Sequence, residues 1–181
     1  MNSYTVEGIV IKRFNLGEAD RLITLFTKNH GKITALAKGI RKPASKRAGS
    51  IEVFNHVKVS LIKSRGDLEV LTEVQIINSF TSWRKHLGRI TLAYQICEIV
   101  DKLTPDHQPN PEVFEILKNS MSQIGSLQVD WKTKSENWSI DVVRELGFWS
   151  NEKKFDGDVS KYIEEIISRP LHSSKMLNKL K

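Results

Sequence analysis

Two unlike halves are predicted, a small all-β barrel or sandwich followed by an all-helical domain, which makes the chain an α+β protein of two domains. Three observations predict this. From Tyr4 to Ile77 the apolar residues come in short β-branched runs separated by closely spaced turn residues. After Phe80 they recur at spacings of three and four, the period of amphipathic helices. The charge divides at the same place: residues 1–80 carry thirteen Lys/Arg against seven Asp/Glu, a net of +6, and residues 81–181 fifteen against fourteen, a net of +1. The domains are therefore set at 1–79 and 80–181.

Five strands account for the first part. The first covers about Tyr4–Phe14 and turns at Asn15-Leu16-Gly17; the second, about Asp20–Thr27, turns at Asn29-His30-Gly31. Each turn holds a glycine, as tight reversals favour. The third is Lys32–Ala37. The fourth, about Glu52–Ile62, places Val53, Val57, Val59 and Leu61 on one face and His56, Lys58 and Ser60 on the other, the period of two of a half-buried strand. After Ser64-Arg65-Gly66-Asp67 the fifth repeats it, with Leu68, Val70, Val74 and Ile76 inward and Glu69, Glu73 and Gln75 outward. Five strands with a long connection between the third and fourth fit a five-stranded OB-fold β-barrel, a class that commonly binds oligonucleotides. Gly39 and Pro43 make that connection a poor helix, so an open loop or a single turn is expected there.

The long connection is also the most basic stretch. Lys38–Arg47, KGIRKPASKR, has five cations and no acid, and the acid-free region runs from Arg21 to Ile51. It holds Arg21, Lys28, Lys32, Lys38, Arg41, Lys42, Lys46 and Arg47. Such single-sign density is most easily tolerated where phosphates neutralise it, although many charge runs are solvated loops and no more.

Four helices follow, with a short fifth at Ser173–Leu180. Leu87, Ile90, Tyr94 and Cys97 line the first, which ends by Pro105; Ile96, Ile99 and Leu103 widen its apolar surface. Asn110-Pro111 supplies an N-cap and a first-turn proline for the second, whose face is Phe114, Leu117, Met121 and Ile124. Trp131, Trp138, Val142 and Leu146 mark the third, stopped at Gly147, and Tyr162, Ile163, Ile166 and Ile167 the fourth, ended by Pro170. Trp83, Trp131, Trp138 and Trp149 are read as packing residues rather than base-stacking platforms.

No enzyme chemistry is legible. Of 181 residues 39% are apolar and 27% charged, an ordinary globular composition. The single cysteine, Cys97, excludes an intrachain disulfide and any zinc site needing two thiolates, and lies in a helix's apolar face as a small hydrophobe. The five histidines are scattered, so no catalytic residue, metal or cofactor is assigned. Glu18 and Asp20 with Arg21 read as an ion pair fixing the first hairpin. There is no run of eighteen apolar residues, and Met1-Asn2-Ser3-Tyr4 does not begin a signal peptide, so neither membrane insertion nor export is indicated.

Several segments are familiar together. EGIV (Glu7–Val10), GEADRLITLFT (Gly17–Thr27), HGKI (His30–Ile33), AKGIRKP (Ala37–Pro43) and GDLEVLTEV (Gly66–Val74), in this order, resemble the amino-terminal part of the bacterial recombination-mediator RecO family. DKLTP (Asp101–Pro105), RELGF (Arg144–Phe148) and YIEEIISRPLHSSKML (Tyr162–Leu177) extend the likeness, weakly between Glu112 and Val142. The resemblance implies an OB domain and a helical domain, no turnover, binding of single- and double-stranded DNA, and strand annealing in recombinational DNA repair in the bacterial cytoplasm, associated with the nucleoid. It also implies work with RecR and the C-terminal tail of the single-strand binding protein, and indirectly with RecF and RecA. Many members carry a four-cysteine zinc module after the position of Phe148, whereas Trp149–Asp158 has no cysteine. Zinc is therefore not expected.

The candidate DNA-contacting residues are Arg21, Lys38, Arg41, Lys42, Lys46 and Arg47, with Lys63 and Arg65 as a second rank in the loop after the fourth strand. Phe14, Phe26 and Phe54 are base-stacking candidates should any face outward, with core the expectation for each. Two other classes are weighed: a protein-interaction adaptor whose helical domain binds an acidic, apolar-ended tail, and an RNA-binding OB protein.

Overall fold

The computed structural model describes residues 3–43, 45, 47–63, 68–127 and 130–178. Five strands, β1 (Ser3–Leu16), β2 (Asp20–Thr27), β3 (Gly31–Ala37), β4 (His56–Lys63) and β5 (Glu69–Asn78), close into a barrel of order β1-β2-β3-β5-β4. β1 is long enough to pair antiparallel with both β2 and β4, and a short parallel contact of β3 with β5, Ala35 to Glu69 and Leu36 to Val70, completes the ring. Inward residues of all five strands, among them Val10, Ile23, Leu25, Ile33, Val57, Val59, Leu61 and Leu71, fill it together with Ile40 and Ile51 from the long connection. This is the OB-type barrel expected from the strand spacing.

Three local readings are corrected. β4 begins at His56, not near Glu52, because Phe54 takes φ +77° and Asn55 turns its amide back to donate to the carbonyls of Gly49 (3.0 Å) and Ser50 (2.9 Å). The connection itself holds a single 3-10 turn, Ala48–Ile51, in agreement with the expected open loop or single turn. His56 is buried rather than solvent-facing, its Nε2 lying 2.8 Å from Glu7 Oε1 on the adjacent β1. β5 does not keep one alternation: Ser60 opposes Glu73 but Leu61 opposes Leu71, so Thr72 is an extra, bulged residue. A bulge reverses the in/out parity of what precedes it. Glu69 and Leu71 are therefore buried while Leu68 is exposed, and Val74 packs inward beyond the bulge. Glu69 is accommodated because the Tyr4 hydroxyl donates to its Oε2, and burial, reinforced by that carboxylate, pushes the Tyr4 phenol well above its ordinary pKa.

The chain divides into two compact units, Met1–Ser79 with Pro105–Phe114, and Phe80–Thr104 with Glu115–Lys181. Segment 105–114 joins the barrel through specific contacts at β3 and β4. The His107 N–H donates to the Lys32 carbonyl (3.0 Å), Lys32 pairs with Asp106 (3.4 Å), and the Phe114 ring meets the His56 ring edge-on.

The second unit is helical. α1 (Leu87–Leu103), α2 (Pro111–Ile124), α3 (Trp131–Glu145), α4 (Val159–Ile167) and α5 (His172–Asn178) follow the sequence reading, though the expected end of the last helix, beyond Asn178, lies outside the described residues. Asn110 Oδ1 accepts the Val113 N–H (2.9 Å), the expected N-cap of α2. The Glu98 carboxylate on α1 accepts the N–H groups of His172 and Ser173 (2.9 and 2.8 Å), placing an anion at the start of α5. Cys97 is buried, and burial, together with the Asp101 carboxylate, raises its pKa far above neutrality, so it stays a thiol.

The segment after α3 is held by aromatic packing. Trp149, Phe155 and Tyr162 meet pairwise at centroid distances of 4.9, 5.5 and 5.6 Å, Tyr162 donates to the Phe148 carbonyl (2.6 Å), and Arg144 and Trp149 both donate to the Lys153 carbonyl. The donor set here does not fit zinc, having no cysteine, and among the described residues no group of three or more His, Cys, Asp or Glu could hold a metal. Trp149→Ala is expected to lower stability by about 2 kcal/mol through the removal of buried surface and ring stacking, while a chelator leaves the urea midpoint unchanged. Stoichiometric zinc by elemental analysis, or a chelator-induced shift, would contradict this account.

Candidate nucleic-acid interface

The basic connection is anchored by the two acids that bound it. Asp20 Oδ1 accepts the Gly39 N–H (2.7 Å), the Arg41 N–H donates to the Ala19 carbonyl (2.9 Å), and Arg41 Nη1 donates to the Gly17 carbonyl (2.7 Å). The loop therefore lies against the β1–β2 turn. Glu52, at the other boundary, receives Arg13 and, at 3.3 Å, Arg21, whose Nε also donates to Asn15 Oδ1 (3.1 Å). The ion pair expected between Arg21 and Glu18 or Asp20 is thus replaced by Arg13–Glu52–Arg21. Strand alternation explains this: Arg21 opposes Ala37, a core residue, and so points toward the barrel end, whereas Asp20 points the other way.

The candidate cations fall into three groups. Lys38, Arg41 and Lys42 are exposed on the loop. Arg21 and Arg47 are half-buried and engaged: Arg47 donates to the Thr72 carbonyl (2.8 Å) and the Lys38 carbonyl (3.4 Å), tying the loop's far end to β5. Lys63 is exposed but lines a cleft with Tyr4, Asn29 and His30 at the β2–β3 turn. β2 separates that turn from the basic loop, a span of roughly 25 Å at ~3.3 Å per residue. Lys46 and Arg65 lie outside the described residues. Of the three phenylalanines, Phe26 and Phe54 are core, but Phe14 is 67% exposed. The sequence signal for that is its position just before a turn, where β1 outruns the barrel.

A loop of exposed ammonium and guanidinium groups on a rigid barrel presents several donors to phosphate oxygens and none dedicated to a base edge. Asp20 is bonded to the loop backbone, and Glu18 of the β1–β2 turn is exposed. Among the described residues no helix is long and apolar enough to cross a membrane.

Comparison with known proteins agrees with the architecture. A family model described as Recombination protein O N terminal matches residues 1–80, and one described as Recombination protein O C terminal matches residues 84–149. The chain is 33% identical over 148 residues to the DNA repair protein RecO of Symbiobacterium thermophilum, covering 82% of this chain and 58% of that protein. It is 36% identical over 124 residues to that of Myxococcus xanthus, covering 68% and 51%, and 38% identical over 144 residues to that of Acetivibrio thermocellus, covering 80% and 54%. The chain thus spans about half the length of these relatives. The second family match ends at residue 149, where the aromatic cluster begins. With matches to both terminal parts of one family, in order along one barrel and one helical unit, the chain belongs to the recombination protein O (RecO) family.

Proposed function

We propose that this protein is a non-enzymatic DNA-binding mediator of recombinational repair, which holds single- and double-stranded DNA by its backbone and brings complementary strands together for annealing. The observation that carries the reading is the loop Lys38–Pro43, its exposed cations Lys38, Arg41 and Lys42 pinned to the β1–β2 turn of a RecO-family barrel. Backbone contacts ignore sequence, so base pairing supplies the specificity. Arg21 and Arg47 act mainly by shaping this end of the barrel, and Lys63 is a second-rank phosphate contact; Lys46 and Arg65 are candidates on sequence alone. RecR and the single-strand binding protein are direct partners in this reading, RecF and RecA indirect ones, and the protein works in the bacterial cytoplasm on nucleoid DNA.

The test is a salt titration of oligonucleotide binding by fluorescence anisotropy. Replacing Lys38, Arg41 and Lys42 together with Ala is expected to weaken binding to every sequence alike. The slope of log affinity against log salt should fall by about 2, at ~0.7 for each phosphate of a single strand that is no longer neutralised. Lys134, Lys153 and Lys161, exposed in the helical unit, supply a control that removes the same charge. Equal effects from the two triple mutants would mean that net charge alone drives binding. Tighter binding to RNA than to DNA of equal length would favour an RNA-binding function instead.

A second reading, an adaptor for the acidic tail of the single-strand binding protein, is favoured by Leu87 and Tyr94, two turns apart and both exposed on α1. Loss of annealing on protein-coated strands only, with bare strands unaffected, after Leu87→Ala and Tyr94→Ala would support it.

A further inference from the structure

The outer face of the barrel carries an apolar row that phosphate binding leaves unused. Phe14, Leu22 and Leu36 are successive neighbours across β1, β2 and β3, and directly opposed residues share a face. Their face is the outer one, because the alternating residues Ile23, Ala35 and Ala37 lie in the core. Phe14 is 67% exposed, Leu16 on the same face is 40% exposed, and Leu22 and Leu36 are half-buried. Cations flank the row in both directions along the strands. Lys12, two residues before Phe14, and Lys38, two after Leu36, are exposed. The Arg41 guanidinium lies at the Gly17 carbonyl, one residue beyond Leu16. Asp20, opposite Leu16 on this face, has its carboxylate turned to the Gly39 N–H.

We infer that Phe14 is a stacking platform for an unpaired nucleobase, with the Leu22–Leu36 row continuing the surface and Lys38, Arg41 and Lys42 receiving the phosphates on either side of that base. This deepens the nucleic-acid reading above and rests on it. The occupant must bring a flat apolar face and negative charge together within about 10 Å, the width of three strands; single-stranded DNA does so, and aromatic stacking serves every base. A second copy of this chain, with net charge +7, would set these cations against their own kind. In a duplex the base faces are already stacked, so Phe14 acts on single strands only, whereas the loop cations serve both forms. Phe14 therefore determines the preference for unpaired DNA. It also offers a hold on one strand that leaves the pairing edge of the base free.

The experiment compares the full chain with Phe14→Ala and Phe14→Trp on three probes at one salt concentration: oligothymidine of about 15 nucleotides, an abasic strand of equal length, and the corresponding duplex. Phe14→Ala is expected to weaken oligothymidine binding about 5- to 100-fold, to leave abasic and duplex affinities within about twofold, and to keep the salt slope. Phe14→Trp should restore binding. A strand carrying 5-iodouracil should cross-link, on irradiation, to the tryptic peptide Phe14–Arg21, and Phe14→Ala should abolish that product. An unchanged oligothymidine affinity, or an equal loss on the abasic strand, would overturn the inference while leaving backbone binding intact. Failure of the unmodified protein to bind any probe would overturn both. A dimer in sedimentation that Phe14→Ala dissolves would assign the row to a second copy instead.

Discussion

Trp83→Ala is expected to cost about 3–5 kcal/mol, a large part of the stability of a domain of this size. Trp83 is 1% exposed, its ring stacks with Phe80 at 6.3 Å, and its Nε1 donates to the Met121 carbonyl (3.0 Å) on α2. Truncation would leave a cavity and remove the partner of that carbonyl. Two penalties are combined, one of packing and one of an unmet hydrogen bond. Urea unfolding followed by the helical circular dichroism signal measures the loss. Trp131→Ala is the matched comparison, because Trp131 is only half-buried; a smaller cost is expected there. Equal costs would mean that Trp83 is not a centre of the helical unit.

The contrast between these tryptophans is not visible in periodicity. All four read as packing residues, and the pattern does not rank them, since Trp83 lies in a 3-10 turn, Thr81–Trp83, that obeys no helical repeat. The barrel is more legible because its five runs alternate and its turns hold glycine. Where the pattern misleads, a buried polar pair is responsible: His56 with Glu7 and Tyr4 with Glu69 place charged or polar side chains where a two-period reading expects solvent. Sequence hydropathy cannot anticipate such pairs, because each partner is acceptable inside only when the other arrives from a distant strand. The Thr72 bulge compounds this at β5. The basic loop is plain from its composition, whereas its anchoring through Asp20 and the engagement of Arg21 by Glu52 depend on which side of a strand each residue takes.

The site's support can be tested at a glycine far from it. Gly31, the first residue of β3, has φ +68°, and a Cβ there would lie 2.2 Å from the Gln108 carbonyl oxygen and 2.7 Å from the Gln108 nitrogen. Those are backbone atoms of the segment that bonds and pairs with Lys32, so a rotamer change cannot relieve the clash. Gly31→Ala therefore incurs the left-handed backbone penalty of about 1–2 kcal/mol and an overpacking penalty of about 1–3 kcal/mol. Gly17 separates the two: its φ is +56° but nothing lies within 4 Å of the Cβ position, so Gly17→Ala should show the backbone penalty alone. In urea titrations Gly31→Ala is expected to be the more destabilised by the overpacking difference. The DNA affinity of Gly31→Ala, measured where that variant remains folded, should stay near that of the unmodified protein, because Lys38, Arg41, Lys42 and Phe14 lie toward the other end of β2. Equal destabilisation of the two variants would show that segment 105–114 yields freely at Gly31, and that its bonds to Lys32 contribute little to holding the barrel.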